Sequence, residues 1–158
     1  MNRKSFAVAG ISVLCAVVLG SALTTASAAG TRSRIKIDTY LSGIEGGTGK
    51  FVLTLKSALD GGTITFTRSF GADKTTAEGL PYSVLTDTET LKGKAGTLVI
   101  RSSGQAFAPG FGDEVWMGTW TIVKGTGQYA GLTGGGRWVA NEDRSHHAIA
   151  GLYAGLVG

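Results

Sequence analysis

Beyond residue 30 the chain alternates polar and apolar side chains with a period of two, the repeat of a strand with one buried face. Gly62 to Phe70 is the clearest case, with Ile64, Phe66 and Phe70 on one side and Thr63, Thr65, Thr67 and Ser69 on the other. Arg34 to Leu41 sets Ile35, Ile37 and Thr39 against Arg34, Lys36 and Asp38, and Lys50 to Ser57 sets Phe51, Leu53 and Leu55 against Val52, Thr54 and Lys56. Outward β-branched Thr suits a pleated surface in water. The same pattern predicts further strands over 82–91, 96–102, 114–123, 136–141 and 147–154. No window of that region carries the i, i+3, i+4 repeat of an amphipathic helix. Asp60-Gly61-Gly62 is expected to be a tight hairpin turn, because glycine adopts positive φ without a steric penalty. Residues 70–79 and 105–113 are expected to be loops, the second a long connection around Pro109. Eight short strands with turns every eight to twelve residues predict an all-β fold, a single closed antiparallel β-barrel, in which closure removes exposed sheet edges.

The first residues follow a different logic. Arg3 and Lys4 precede an apolar run from Phe6 to Leu23, and Ala26, Ser27, Ala28 and Ala29 supply small residues for cleavage. This is the layout of a cleavable signal peptide over 1–29, with the barrel domain over 30–158 and a secreted, extracytoplasmic destination. The single cysteine, Cys15, lies inside that apolar run, so the mature chain is expected to lack both disulfides and thiolate metal sites. A lipobox is not formed, since Leu14 stands where a small residue is needed.

Charge adds little. The chain holds 15 Lys and Arg against 11 Asp and Glu; without Arg3 and Lys4, thirteen remain against the same eleven. The basic residues are scattered, which argues against a nucleic-acid partner. Gly46-Gly47-Thr48-Gly49-Lys50 fails as a phosphate loop, with Ile44 in the first glycine position and Phe51 where Ser or Thr is needed; its glycines partly echo Gly125 to Gly127, and the two are expected to be similar turns. His146 and His147 are adjacent and on a strand face opposite ways, so no metal site is expected. No GxSxG elbow supports a nucleophilic triad. Thr- and Lys-bearing outer faces argue against stable membrane insertion as an outer-membrane barrel.

The most specific stretch runs from Gly118 to Trp138. A strand with Trp116, Trp120 and Ile122 on one face enters the spacing Gly125-x-Gly127-x-Tyr129-x-Gly131-x-x-Gly134. Gly127 and Gly131 are expected to hold positive φ or to allow close backbone approach. Tyr129 is expected to plug one barrel end against Trp120 or Trp138. This segment resembles the signature of the allene oxide cyclase barrel-like superfamily, which includes the plant dirigent proteins. The resemblance covers the final third of the chain. Lys92-Gly93-Lys94-Ala95-Gly96-Thr97-Leu98 is similar to the turn-then-strand pattern of small secreted bacterial members. Cyclase or dirigent activity would imply acidic and polar groups in the barrel mouth, and an oligomer is compatible with the likeness.

Parity offers candidates for such groups. Arg68 shares a face with Phe66 and Phe70, and Glu114 with Trp116 and Trp120. If both pointed inward they could form a buried ion pair or polar anchor. The favoured expectation is that each sits at a strand end open to water. Arg68, Glu114, Trp116, Trp120 and Tyr129 are therefore the candidate ligand contacts, and Gly125, Gly127, Gly131 and Gly134 the structural turn. The favoured function is a non-catalytic binding or envelope-associated module for a small apolar molecule, without cofactor. The alternative is an isomerase or stereochemical guide acting in the barrel cavity. The bulky inward set (Ile64, Phe66, Leu98, Ile100, Trp116, Trp120 and Ile122) favours the first.

Overall fold

The computed structural model describes residues 31–108 and 113–158. The signal-peptide reading, Cys15 and the centre of the 105–113 connection lie outside these residues. The described chain is all-β. Eight antiparallel strands, β1 (Ser33–Ser42), β2 (Gly46–Leu55), β3 (Ala58–Thr75), β4 (Pro81–Gly93), β5 (Thr97–Phe107), β6 (Asp113–Gly125), β7 (Gly134–Asp143) and β8 (Ala148–Val157), close into one barrel in chain order. Pairing of β1 with β8, from Ser33↔Val157 to Ser42↔Ala148, shuts the sheet. Every strand thus finds both neighbours within residues 33–157, and this part of the chain is a self-contained folding unit. The β1–β2, β3–β4, β5–β6 and β7–β8 connections lie at one pole, called the mouth. The other connections, the start of β1 at Ser33 and the end of β8 at Val157 lie at the opposite pole.

The inward residues are those the alternation places there. Ile35, Ile37, Ile64, Leu91, Leu98, Ile100, Trp116 and Trp120 are buried, and Ile122 is partly so. The two central tryptophans of the β6–β7 pair sit on glycine. Trp120 is in register with Gly136, which is in register with Gly155; the indole Nε1–H donates to the carbonyls of Arg137 (3.2 Å) and Ala154 (3.4 Å). Trp138 is in register with Gly118, itself opposite Gly104, and donates to Thr119 (3.2 Å) and Ser103 (3.4 Å). A Cβ at Gly104 would lie 2.8 Å from Trp138 Cζ2. Tyr153 fills the space between, stacked on Trp138 at 5.9 Å and edge-on to Trp120 at 6.3 Å.

Three local expectations need correction. Asp60-Gly61-Gly62 is not a turn. The hairpin turn is Lys56-Ser57, with Lys56 at φ 58° and Leu55 opposite Ala58. Asp60 is instead held in β3 by tertiary bonds, accepting from Tyr129 Oη at 2.7 Å and from the Lys94 and Ala95 amides at 3.0 and 3.2 Å. Residues 70–75 are not a loop: β3 continues past a bulge between Phe70 and Asp73 to pair Thr75 with Pro81. Gly46 to Gly49, which resembles the later glycine turn, is strand. In both strand cases cross-strand pairing overrides a local preference for turns.

The glycine turn itself is as expected. Gly127 and Gly131 have φ of 61° and 75°, and Gly127–Tyr129 forms a single 3₁₀ turn. Tyr129 is buried and closes the pole away from the mouth. Its hydroxyl bonds to Asp60, while the aromatic partner of Trp120 and Trp138 is Tyr153.

The glycine shelves set a packing test. A Cβ at Gly118 would run into the Ser103 carbonyl and lie 2.6 Å from Gly104 Cα, whereas one at Gly71 would meet nothing closer than 3.5 Å. In urea unfolding of the chain from Thr31 onward, followed by tryptophan fluorescence, Gly118→Ala is expected to lose about 3 kcal/mol or more. Gly71→Ala should stay within about 0.5 kcal/mol.

Candidate functional site

The inner surface divides along the barrel axis. The half near Tyr129 is apolar, and the half toward the mouth is charged. Strand β4 supplies the reason. Its outward residues Thr86, Thr88 and Thr90 alternate with Leu85, Asp87, Glu89 and Leu91, so the two acids must face inward with the leucines. Register then sets Asp87 beside Arg68 of β3 and Glu89 beside Phe66.

Arg68 is buried, its side chain 1% exposed, and its partner is Asp87 rather than Glu114. The pair is bidentate, Nε to Oδ1 at 2.7 Å and Nη2 to Oδ2 at 2.9 Å. Arg68 Nη1 donates to the Ile44 carbonyl at 3.0 Å, and the guanidinium carbon lies 4.2 Å from the centre of the Trp116 ring system and 5.0 Å from that of Phe66. The expectation of a water-exposed strand end is therefore overturned for Arg68. A bidentate acid, a carbonyl and two aromatic faces replace the water that the cation loses.

Glu89 is fully buried one position deeper. Oε1 accepts from Tyr153 Oη at 2.6 Å and Ser102 Oγ at 3.4 Å, while Oε2 has no partner among the described residues. Burial pushes its pKa up to about 7; Tyr153 and Arg68 oppose the rise and Asp87 adds to it. Burial and the Glu89 charge also raise the Tyr153 hydroxyl well above its ordinary range.

At the mouth, Glu114 and Glu142 are cross-strand neighbours on the inner face. Glu114 is partly buried and satisfied, accepting from Trp116 Nε1 at 2.9 Å and pairing with Arg144. Glu142 is only 2% exposed and its Oε1 has no partner among the described residues; burial raises its pKa, against the pull of Arg68. Both carboxyls line a cavity of about 400 Å³ with Ile44, Phe70, Ser83, Arg144 and His147. The volume is near the lower end of small-molecule sites. Phe70 forms the inner wall, edge-on to Trp116 at 6.0 Å.

Of the five predicted contacts, only Glu114 lines this cavity, with Trp116 just behind it. Arg68 lies beneath, Trp120 is core, and Tyr129 is at the far pole. Asp87, Glu89 and Glu142 were missed, although the parity of β4 and β7 identifies all three. No group of three metal-ligating side chains occurs among the described residues; His146 pairs with Asp143 at 2.5 Å on the surface. Burial alone would raise the opposite pole's Asp60, yet bonds from Tyr129 and the Gly61, Ala95 and Lys94 amides together hold it below its ordinary value.

No family model, curated protein or solved structure matches the chain.

Two measurements probe the buried charges. Asp87→Asn leaves Arg68 without its counter-charge and should cost about 3–5 kcal/mol in urea unfolding, with most of the loss recovered by the double change Arg68→Met, Asp87→Leu. Glu89 binds its proton more tightly folded than unfolded. Its contribution to stability should be greatest below pH 4.5, fall as pH rises toward 7 and level off above. Glu89→Gln is expected to remove this slope and to stabilise the protein at pH 8 by on the order of 2–3 kcal/mol, read from urea midpoints across that range.

Proposed function

We propose that this chain is an exported, non-catalytic binding module that seats one small molecule in the barrel mouth. The observation that carries this reading is Glu142 Oε1, a buried acceptor that lines a cavity and has no partner among the described residues. A buried polar atom left unpaired costs free energy, and a ligand donor reaching it would remove that cost. Ile44 and Phe70 offer apolar contact beside it. The ligand is thus a mainly apolar molecule with one hydroxyl or amine. Export rests on the leader-like first residues and the absence of cysteine from the rest. The deeper barrel is filled by Trp116, Trp120 and Tyr153, which favours binding at the mouth over chemistry in a central chamber.

The alternative, an isomerase resembling the allene oxide cyclase or dirigent proteins, is favoured by one specific feature. The mouth holds a satisfied carboxylate, Glu114, beside an acid of raised pKa, Glu142, and unequal carboxyls of this kind can divide base and acid roles.

Native mass spectrometry of the protein recovered from an exporting host separates these readings. A bound small molecule is expected, retained by wild type and lost from Glu142→Ala while the melting temperature stays within a few degrees. A protein without adduct, or an adduct that survives Glu142→Ala, would remove the basis for the mouth site. Conversion of the bound molecule to an isomer, with a rate that follows the Glu142 ionisation, would select the enzyme.

A further inference from the structure

A second surface, on the outside of the barrel at the sealed pole, has a different chemistry. Strand β8 turns Leu152, Ala154 and Leu156 outward, with Leu152 37% and Leu156 46% exposed. Cations flank this apolar strip on both sides. On β1, Lys36 is in register with Ala154 and Arg34 with Leu156; on β7, Arg137 is in register with Ala154 from the other side. Arg32 and Lys56 extend the same open groove, which measures about 990 Å³, and no Asp or Glu is among its described lining residues. Lys36 is paired at 2.9 Å with Asp38, the acid in register with Leu152 on the outer face; no ion pair engages the other four cations among the described residues.

From this arrangement we propose that the β1–β8–β7 face docks onto an anionic lipid surface, with Leu152 and Leu156 meeting the acyl boundary and the flanking cations meeting lipid phosphates. Apolar side chains ringed by Lys and Arg match the two attractions of such a surface, acyl-chain contact and negative charge. A soluble polyanion would need the cations but not the exposed leucines between them. The proposal does not depend on the mouth site, which is at the other end.

Vesicle co-sedimentation of the self-contained chain from Thr31 onward tests it. Binding to phosphatidylglycerol-containing vesicles and not to pure phosphatidylcholine is expected, weakening as salt is raised. Each cation removed should weaken it roughly fivefold, so that Arg34→Gln with Arg137→Gln loses ~25-fold. Leu156→Ser should abolish the binding that survives high salt. Circular dichroism would establish that these variants stay folded, and the salt dependence of wild type stands without them. Failure to bind, equal binding to both vesicles, insensitivity to salt, unchanged binding by the folded Arg34→Gln, Arg137→Gln protein, or displacement by inorganic phosphate at the concentration of vesicle phosphate would each overturn the proposal.

Discussion

The structure depends on fitting large aromatic rings inside an eight-strand cylinder. A barrel of this strand number has just enough width for side chains, and no more. Trp120 and Trp138 fit because the interior positions across from them are Gly136 and Gly118, backed by Gly155 and Gly104. Each indole then lies over bare backbone and its N–H reaches sheet carbonyls. The same exchange, ring for missing side chain, solves two problems together. It fills the centre at high density, and it satisfies polar N–H groups that would otherwise be buried at a cost.

That dense centre separates two electrical environments. Toward the sealed pole the lining is aliphatic and ends in the Tyr129–Asp60 bond. Toward the mouth, charge is layered by depth. Glu89 is deepest and has its pKa raised to about 7, Arg68 and Asp87 neutralise one another above it, and the Glu114–Glu142 pair meets the cavity. The Arg68–Asp87 pair is sustained by bidentate geometry and by the faces of Trp116 and Phe66, without which two buried ions would weaken the fold.

The fold was legible because the period-two pattern is strong and the helical one absent. Ile64, Phe66 and Trp120 share one core, as alternation requires. Errors fell where local and tertiary preferences disagree. Asp60-Gly61-Gly62 has ideal turn chemistry, yet Asp60 is more valuable as an acceptor for Tyr129, a residue 69 positions away. Sequence spacing could not disclose that partner. The candidate site was legible in part. Glu114 follows from parity with its tryptophans, and the same parity in Leu85-Thr86-Asp87-Thr88-Glu89-Thr90-Leu91, with three outward threonines, sets both acids inward. Alternation sets Arg68 on its correct face but does not show its surroundings, because its counter-ion Asp87 lies on the next strand. That Glu142 Oε1 has no partner among the described residues depends on three-dimensional surroundings that no local pattern records.

Even strand number and antiparallel order put the first and last strands side by side, so the polypeptide enters through Ser33 and leaves through Val157 at the pole that Tyr129 stoppers. Whatever is joined ahead of one or behind the other, whether a leader, a reporter or a solid support, departs from the blind base of the cup. Its rim, with the neighbouring glutamates, remains turned away from the attachment.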